Sequence, residues 1–226
     1  MNFQTIAGWR LRHLQNRINF DDIKNILDIG ALDLAQSFEI LEVFPHSNVF
    51  AFEPCPENFE KCKQNLTNSG KENIKLYEMA LGNSTGKIKF YPMDQTNPGA
   101  SSKYKLMNTE TLDRVWNGRW IHYQYTEVEV QEDTLDNWKN QNDVGKIDLI
   151  WIDVQGAELD VFKGGIETLK DVKVILSEAG LDPYYEGQSL KPEIDKFLEE
   201  QGFYELKDAF EYNGSYCEAN LIYLRK

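Results

Sequence analysis

The sequence predicts an α/β protein with a mostly parallel, doubly wound β-sheet and helices on both faces. The first observation is that short apolar segments alternate with helical patterns in the order β-α-β-α-β, which is typical of such sheets. The second is the segment 147–152, which is apolar at almost every position. A strand that is covered on both faces has this composition, so residues 147–152 are predicted to form a central parallel strand.

Each further element is predicted from hydrophobic periodicity and from Gly, Pro or Asn at its ends. The predicted helices span residues 4–18, 34–44, 57–68, 134–140, 158–170 and 191–200. The predicted strands span residues 25–30, 47–53, 73–79, 87–91, 126–130, 147–152, 172–178, 203–206 and 220–224. Asp133 is expected to cap the helix that follows it.

The length of 226 residues favours one large domain, residues 21–226, after a helical extension, residues 1–20. Residues 92–125 lack clear periodicity and are rich in aromatic side chains. A loop of that length inside a compact domain is usually functional or mobile. We therefore expect residues 92–125 to form a lid or insertion on the substrate side.

The composition excludes some classes of partner. A formal net charge of −13 argues against nucleic acid and anionic lipid, because both require clustered Lys and Arg. No segment approaches the length of about 20 apolar residues that a membrane span needs. The cysteines have no metal-ligand spacing, and free thiols indicate a reducing compartment. A cytoplasmic protein is therefore expected. The three cysteines are Cys55, Cys62 and Cys217.

The turn after the first strand indicates the kind of cofactor. A dinucleotide fold needs three glycines there for the approach of a pyrophosphate, but only Gly30 is present. This absence disfavours a nicotinamide-dependent oxidoreductase. Glu53 lies at the tip of the second strand, where a carboxylate accepts hydrogen bonds from a ribose diol. A ligand with a ribose and no phosphate points to S-adenosylmethionine.

The central strand ends at a carboxylate, Asp153, and a second carboxylate, Glu158, follows five residues later at the start of a helix. Open α/β sheets bind their ligands at the carboxyl ends of strands, so both side chains are candidates for a site. The alternative is that Asp153 caps the helix and Glu158 complements its dipole.

Several motifs in this order resemble the FkbM family of S-adenosylmethionine-dependent methyltransferases. They cover about residues 24–180 and are Ile26–Ala31, Ala51–Pro54, Asn65, Ala80–Gly82, Glu132–Asp136, Ile147–Ile150, Asp153–Glu158 and Gly164–Gly165. The resemblance implies a Rossmann-like, class I methyltransferase domain with a seven-stranded sheet and an antiparallel terminal strand. It also implies action on a hydroxyl oxygen of a sugar, glycan or small metabolite.

The chain departs from the family pattern at three positions. The family usually has Asn and Gly where this chain has Leu32 and Leu34, and Lys where it has Trp151. The two leucines fall in the turn where the cofactor is expected. They motivate the alternative function, a non-catalytic relative that binds S-adenosylmethionine or a partner.

Site roles follow from these positions. The residues predicted to contact the cofactor are Asp28, Gly30, Ala31, Glu53, Pro54, Met79, Ala80, Leu81 and Asp153. Asp28 is equally well interpreted as an acceptor at the start of a helix, and residues 79–81 as core. A hydroxyl nucleophile needs a group that takes its proton, and the candidates, in order of preference, are Asp153, Glu158 and His122.

Two further predictions are weaker. Ser101 and Ser102 are candidates for binding substrate hydroxyls. Mg²⁺ takes oxygen ligands, so a cation held by Asp153, Glu158, Glu178 and Asp182 is a minority interpretation, and no metal is favoured.

Overall fold

The computed structural model describes residues 2–94, 97–107, 125–213 and 217–226, and the backbone of residues 114–116 and 119–121. The α-helices are α1 Ile6–Leu11, α2 Ala35–Val43, α3 Pro56–Ser69, α4 Leu135–Gln141, α5 Glu158–Lys163, α6 Ile166–Leu169 and α7 Lys191–Glu200. The strands are β1 Asn25–Ile29, β2 Asn48–Phe52, β3 Ile74–Tyr77, β4 Ala80–Gly82, β5 Gly86–Phe90, β6 Arg114–Trp116, β7 Arg119–Ile121, β8 Val128–Thr134, β9 Leu149–Ile152, β10 Val174–Gly180, β11 Phe203–Glu205, β12 Glu211–Tyr212 and β13 Glu218–Arg225.

The main sheet has the strand order β11-β13-β10-β9-β1-β2-β3. The five strands from β3 to β10 are parallel, and β13 runs antiparallel to both β10 and β11. The predicted Rossmann-like α/β fold and its antiparallel terminal strand are confirmed. The predicted count of seven strands is wrong, because β12 also pairs with β13.

The strand order reverses between β1 and β9, which are neighbours in the sheet. The chain proceeds from β1 outward to β2 and β3 on one side, and later from β9 to β10 on the other. The crossovers therefore leave in opposite directions and a crevice opens between them at the carboxyl ends of the strands. All four residues of β9 are buried, as its apolar composition predicts.

Helices cover both faces of the sheet. On one face, residues of α1 and α2 pack with alternate side chains of β1 and β9, among them Leu11, Ile40 and Trp151. On the other face, α4, α5 and α7 bury Trp138, Phe162 and Leu198 against the remaining strand residues. Leu11 therefore places the N-terminal helix in the same core as the sheet.

The predicted helix over residues 4–18 is wrong in its length. Thr5 caps α1 by accepting a hydrogen bond from the backbone N–H of Gly8. Helix α1 ends at Leu11 and continues only as a 3₁₀ turn, Arg12–Leu14. Asn16 has φ +64°, and a left-handed residue ends a right-handed helix.

A second, three-stranded sheet in the order β4-β8-β5 was not predicted. Strand β8 pairs parallel with β4 and antiparallel with β5, so the predicted strands 87–91 and 126–130 pair with each other outside the main sheet. Strand β8 extends to Thr134, whose hydroxyl accepts from the backbone N–H of Asn137. Thr134 therefore caps α4 and the predicted cap, Asp133, is wrong.

The predicted helix over residues 158–170 breaks at Gly164 and Gly165 into α5 and α6. A Cβ on Gly164 would lie 2.0 Å from the carbonyl oxygen of Gly82 in β4. The close contact of the helix end with the second sheet therefore requires a glycine.

The predicted lid, residues 92–125, lies only partly within the described residues. Its described part includes the 3₁₀ turn Pro98–Ala100 and the antiparallel pair β6 and β7. Closure over a bound acceptor stays a prediction. Among the described residues, no helix has the length and apolar character needed to cross a bilayer.

We expect Gly164→Ala to lower the free energy of unfolding by about 1–3 kcal/mol, because the added methyl group overpacks a rigid backbone contact. Urea unfolding measures this change. Gly145→Ala is the matched control, since its Cβ would meet only Asn25 Nδ2 at 3.8 Å. Equal losses in the two variants would contradict the close packing of α5 on β4.

Candidate active site

A cleft opens at the carboxyl ends of β1 and β2, beside the point where the strand order reverses. Its volume is about 540 Å³, open solvent included. Its lining residues come from the strand ends, from β4 and from the segment that begins at Pro98. They are Ile29, Gly30, Leu32, Phe52, Glu53, Pro54, Asn58, Met79, Ala80, Leu81, Phe90, Pro98, Gly99, Ser101, Lys103, Asp153, Val154 and Ala157.

Gly30 joins three strands at the base of the cleft. Its φ is +90°, and a Cβ there would lie 1.9 Å from the carbonyl oxygen of Asp153. The backbone N–H groups of Gly30 and Ala31 donate to the Phe52 carbonyl at 3.0 and 2.9 Å. Of the two residues of this turn predicted to contact the cofactor, Gly30 lines the cleft, whereas Ala31 is buried and is not among the lining residues.

The two leucines of the first turn adopt left-handed conformations, with φ +54° at Leu32 and φ +70° at Leu34. This conformation costs about 1–2 kcal/mol for a residue with a Cβ. Leu34 is fully buried in the core, and this burial offsets its strain. Of the two leucines, only Leu32 lines the cleft, so only one of the two bulky side chains reaches the predicted cofactor position.

Glu53 follows β2 and its carboxylate lies in the wall of the cleft. Oε2 accepts from the backbone N–H of Leu32 and Oε1 from that of Cys55, both at 2.8 Å. Burial raises the pKa of Glu53 to about 7. A carboxylate has about four lone-pair sites, so the two backbone bonds orient Glu53 and leave acceptor capacity for a ligand.

Asp28 lies beneath the cleft and is not among its lining residues. It is almost fully buried, and its carboxylate accepts from the hydroxyl of Ser37 in the first turn of α2. Burial raises the pKa of Asp28 to about 6. This geometry supports the alternative role, an acceptor at the start of the helix. By contrast, Pro54 and residues 79–81 all line the cleft.

Asp153 follows β9, the neighbour of β1 on the side away from β2, and lines the cleft together with Glu53. Its backbone N–H donates to the Ile29 carbonyl at 2.9 Å. Its carboxylate is half-buried, and Oδ1 accepts from the side-chain amide of Gln155 at 2.6 Å. The N-cap of α5 is Ala157, with no side-chain capping bond. The alternative interpretation of Asp153 as a helix cap is therefore wrong.

Gln155 is a residue of this site that was not predicted from the sequence. Its amide nitrogen also donates to Glu178 Oε2 at 2.7 Å, so it bridges the carboxylates of Asp153 and Glu178. Its side-chain amide oxygen accepts from the Tyr185 hydroxyl at 3.0 Å. Its backbone carbonyl oxygen accepts from the Ser102 hydroxyl at 2.8 Å. Its position between Asp153 and Glu158, in the same motif, is the feature of the sequence that could have identified it as a site residue.

Glu158 does not line the cleft. Its Oε1 accepts from the backbone N–H groups of Val154 and Gly156 at 3.1 and 3.3 Å, while Oε2 is buried without a hydrogen-bond partner among the described residues. Burial raises the pKa of Glu158 to about 8. Glu158 therefore holds the turn that carries Asp153.

Lys103 is a cleft residue that sequence reasoning missed. Its ammonium group pairs with Glu132 Oε2 at 2.8 Å and with Asp160 Oδ2 at 2.9 Å. Ser101 lines the cleft as well. His122 lies outside the described residues. No local pattern could have predicted Lys103, because its two partners are far away in the sequence.

The residues predicted for a minority Mg²⁺ site do not converge. Glu158 binds the turn backbone, Asp182 is exposed, and an amide group joins Asp153 to Glu178. Within the described ranges, no three His, Cys, Asp or Glu side chains are placed to hold a metal ion.

The strand order, the one-glycine turn at Gly30 and the carboxylate at the tip of β2 define a class I, Rossmann-like methyltransferase domain. The methyltransferase FkbM domain matches residues 27–204, and the chain belongs to this family. The family resemblance and the fold class predicted from the sequence are thus confirmed.

Individual relatives agree with this assignment. The 2-O-methyltransferase NoeI of Sinorhizobium fredii is 32% identical over 165 residues, which cover 72% of this chain and 66% of that protein. The hexuronic acid methyltransferase AglP of Haloferax volcanii is 29% identical over 139 residues, 61% of this chain and 50% of that protein. The chain therefore spans about half to two thirds of the length of these relatives.

A solved structure shows the same fold. The crystal structure of an FkbM methyltransferase from Methylobacillus flagellatus KT superposes with a TM-score of 0.60 at 12% identity. The match covers 92% of this chain and 45% of that chain.

Stability should depend on pH through Glu158. Its pKa is about 8 in the folded protein against an ordinary value of 4.5, so the folded state binds more protons than the unfolded state between these pH values. Stability therefore falls as the pH rises through this window. Because Gln cannot ionise, we expect Glu158→Gln to lose less stability than the wild type between about pH 5 and about pH 8.

Urea unfolding at both pH values measures this difference. The exposed Glu167→Gln is the control, and its stability should follow that of the wild type. Parallel pH dependences of wild type and Glu158→Gln would show that the buried carboxyl does not release its proton in this range.

Proposed function

We propose that the protein is an S-adenosylmethionine-dependent O-methyltransferase that acts on a hydroxyl group of a sugar, a glycan or a small metabolite. The observation that carries this proposal is that Glu53 and Asp153, which follow the two strands on either side of β1, line one cleft at the reversal point of the sheet. The activities of the two relatives, a 2-O-methyltransferase and a hexuronic acid methyltransferase, support a hydroxyl acceptor on a sugar.

The residues of the cleft fit this cofactor. Glu53 offers acceptor oxygens to a ribose diol, and Gly30 leaves the base of the cleft open, since no side chain stands there. Met79 and Leu81 supply apolar surface for an adenine ring. The turn has one glycine and no lysine, so it does not provide the backbone cradle that a pyrophosphate needs.

When bound, S-adenosylmethionine supplies an electrophilic methyl group, to which the acceptor oxygen bonds as the carbon–sulfur bond breaks and leaves its electron pair on sulfur. The protein places the acceptor oxygen in line, and such placement supplies much of the acceleration of displacement reactions. The segment from Pro98 to Lys103 forms part of the cleft wall, and it is proposed to limit the access of water to this position.

Asp153 is proposed to take the proton of the acceptor hydroxyl. Burial, followed by the charge of Asp153, raises the pKa of Glu178 well above its ordinary value. Glu178 therefore keeps its proton to a higher pH than an exposed carboxyl group does. The Gln155 amide fixes one oxygen of Asp153, so the remaining acceptor sites can face the substrate.

We also propose the cytoplasm as the location, since the described cysteines form no disulfide and free thiols persist in reducing compartments.

Glu53→Ala is expected to weaken the binding of S-adenosylhomocysteine by about 1.5–3 kcal/mol, the contribution of a charged hydrogen-bond acceptor. Titration calorimetry measures the affinity, and a melting curve verifies that the variant folds. Glu60→Ala, an exposed residue of α3, should leave the affinity unchanged. An unaltered affinity of the folded Glu53 variant would refute the ribose assignment.

Asp153→Asn is expected to lower kcat by about 10²–10⁴-fold, the usual effect of losing a general base, while the affinity for S-adenosylhomocysteine changes little. Single-turnover assays with labelled cofactor and pools of glycans and metabolites measure the rate. The exposed Asp182→Asn serves as a control. A rate near that of the wild type would assign the base to Glu158 or His122.

The same assay tests the alternative function. A protein that binds S-adenosylmethionine and its product in a thermal-shift panel, but methylates nothing in any pool, would be the non-catalytic relative that Leu32 and Leu34 suggest. Binding of NAD instead would exclude both functions.

A further inference from the structure

A second cavity lies at the same edge of the main sheet, on the face that α1 and α2 cover. It occupies about 390 Å³, open solvent included, at the carboxyl ends of β9 and β10 and the start of β13. The side chains that matter to the argument are Arg10, Gln36, Trp151, Asp153, Glu178 and Asn220. Asp153 lines both this cavity and the cofactor cleft, so the two spaces meet at the proposed base.

The alternation of side chains along the strands explains which polar groups line the cavity. Side chains two residues apart point to the same face of a sheet, so Trp151 and Asp153 share one face of the chain at β9. Glu178 of β10 is directly paired with Asn220 of β13 in the antiparallel register. The cavity wall therefore combines the aromatic ring of Trp151 with carboxylate and amide groups.

Two amide groups in this wall lack partners. Gln36 Nε2 and Asn220 Nδ2 are buried and have no hydrogen bond to any of the described residues. A buried donor without an acceptor costs free energy, whereas a ligand oxygen would satisfy it. Gln36 lies in the first turn of α2 and Asn220 in β13, so the two donors approach the cavity from different elements.

The charges of the wall favour a neutral ligand. The Arg10 guanidinium lies over the Trp151 ring, 5.7 Å from its centroid, and its Nε pairs with Glu211 at 3.1 Å. Arg10 therefore has a partner for its charge and further N–H donors. The carboxylate of Asp153 would repel an anion, while it accepts hydrogen bonds from hydroxyl groups.

We propose that this cavity is the acceptor subsite and binds a neutral, hydroxyl-rich sugar ring, with Gln36, Asn220 and Arg10 as donors to its oxygens. This inference rests on the proposed function, because it gives the proton-accepting role of Asp153 a substrate. A hydroxyl donates one hydrogen bond and accepts two. A ring with several hydroxyls therefore matches a wall that contains both the amide and guanidinium donors and the carboxylate acceptors.

The test is a titration followed by the side-chain amide signals of ¹⁵N-labelled protein saturated with S-adenosylhomocysteine. The probes are the methyl glycopyranosides of glucose, galactose, mannose and glucuronic acid. We expect at least one neutral glycoside to shift the amide signals of Gln36 and Asn220 in a saturable way. Gln36→Leu and Asn220→Leu should each weaken that binding about tenfold, the effect of one lost hydrogen bond.

The affinity for S-adenosylhomocysteine should stay within about twofold in both variants, since neither residue lines the cofactor cleft. Gln131→Leu, at an exposed position of β8, is the matched control and should not affect glycoside binding. Because the two variants change different elements, the failure of one to fold leaves the other as a test.

Three results would overturn the subsite. The first is the absence of a saturable shift of these amide signals with any glycoside. The second is an unchanged glycoside affinity in the folded variants, and the third is tighter binding of the glucuronoside than of every neutral glycoside. Loss of S-adenosylhomocysteine binding by the wild type would instead overturn the proposed function. Because glycoside binding is measured separately, the two failures are distinguishable.

Discussion

The close approach of the backbones after β1 and β9 is the constraint on which the site depends. A side chain at Gly30 would collide with the carbonyl oxygen of Asp153, and the Asp153 N–H donates to Ile29. This contact fixes Asp153 at the reversal point of the sheet. The hydrogen bonds from the same turn to Phe52 place Glu53 beside it. One glycine therefore determines the spacing between the proposed cofactor and proton-accepting groups.

Buried carboxyl groups surround this contact, and each has a different partner. Glu53 and Glu158 bind backbone N–H groups, and Asp28 binds the Ser37 hydroxyl. Glu178 binds the Gln155 amide. Burial raises the pKa of all four. Each of these groups therefore releases its proton at a higher pH than an exposed carboxyl group does, which reduces repulsion inside an acidic protein as the pH falls.

The sequence predicted more of the fold than of the contacts. Strand ends are local signals, because an apolar run that stops at Gly30 or at Asp153 shows where a buried strand must end. The positions of Glu53 and Asp153 at the sheet edge could therefore be predicted. The family motifs added the order of strands, and the family match confirms that assignment.

The sequence by itself determined which residues end the strands, since burial requires apolar side chains between turns. The tertiary structure decided where side chains point. Glu158 turns inward to the backbone of its own turn, and Lys103 reaches Glu132 and Asp160. Gln155 joins two carboxylates from different strands. The contacts of Lys103 and the bond from Gln155 to Glu178 connect residues far apart in the chain. All of these side-chain directions depend on packing geometry that no local pattern encodes.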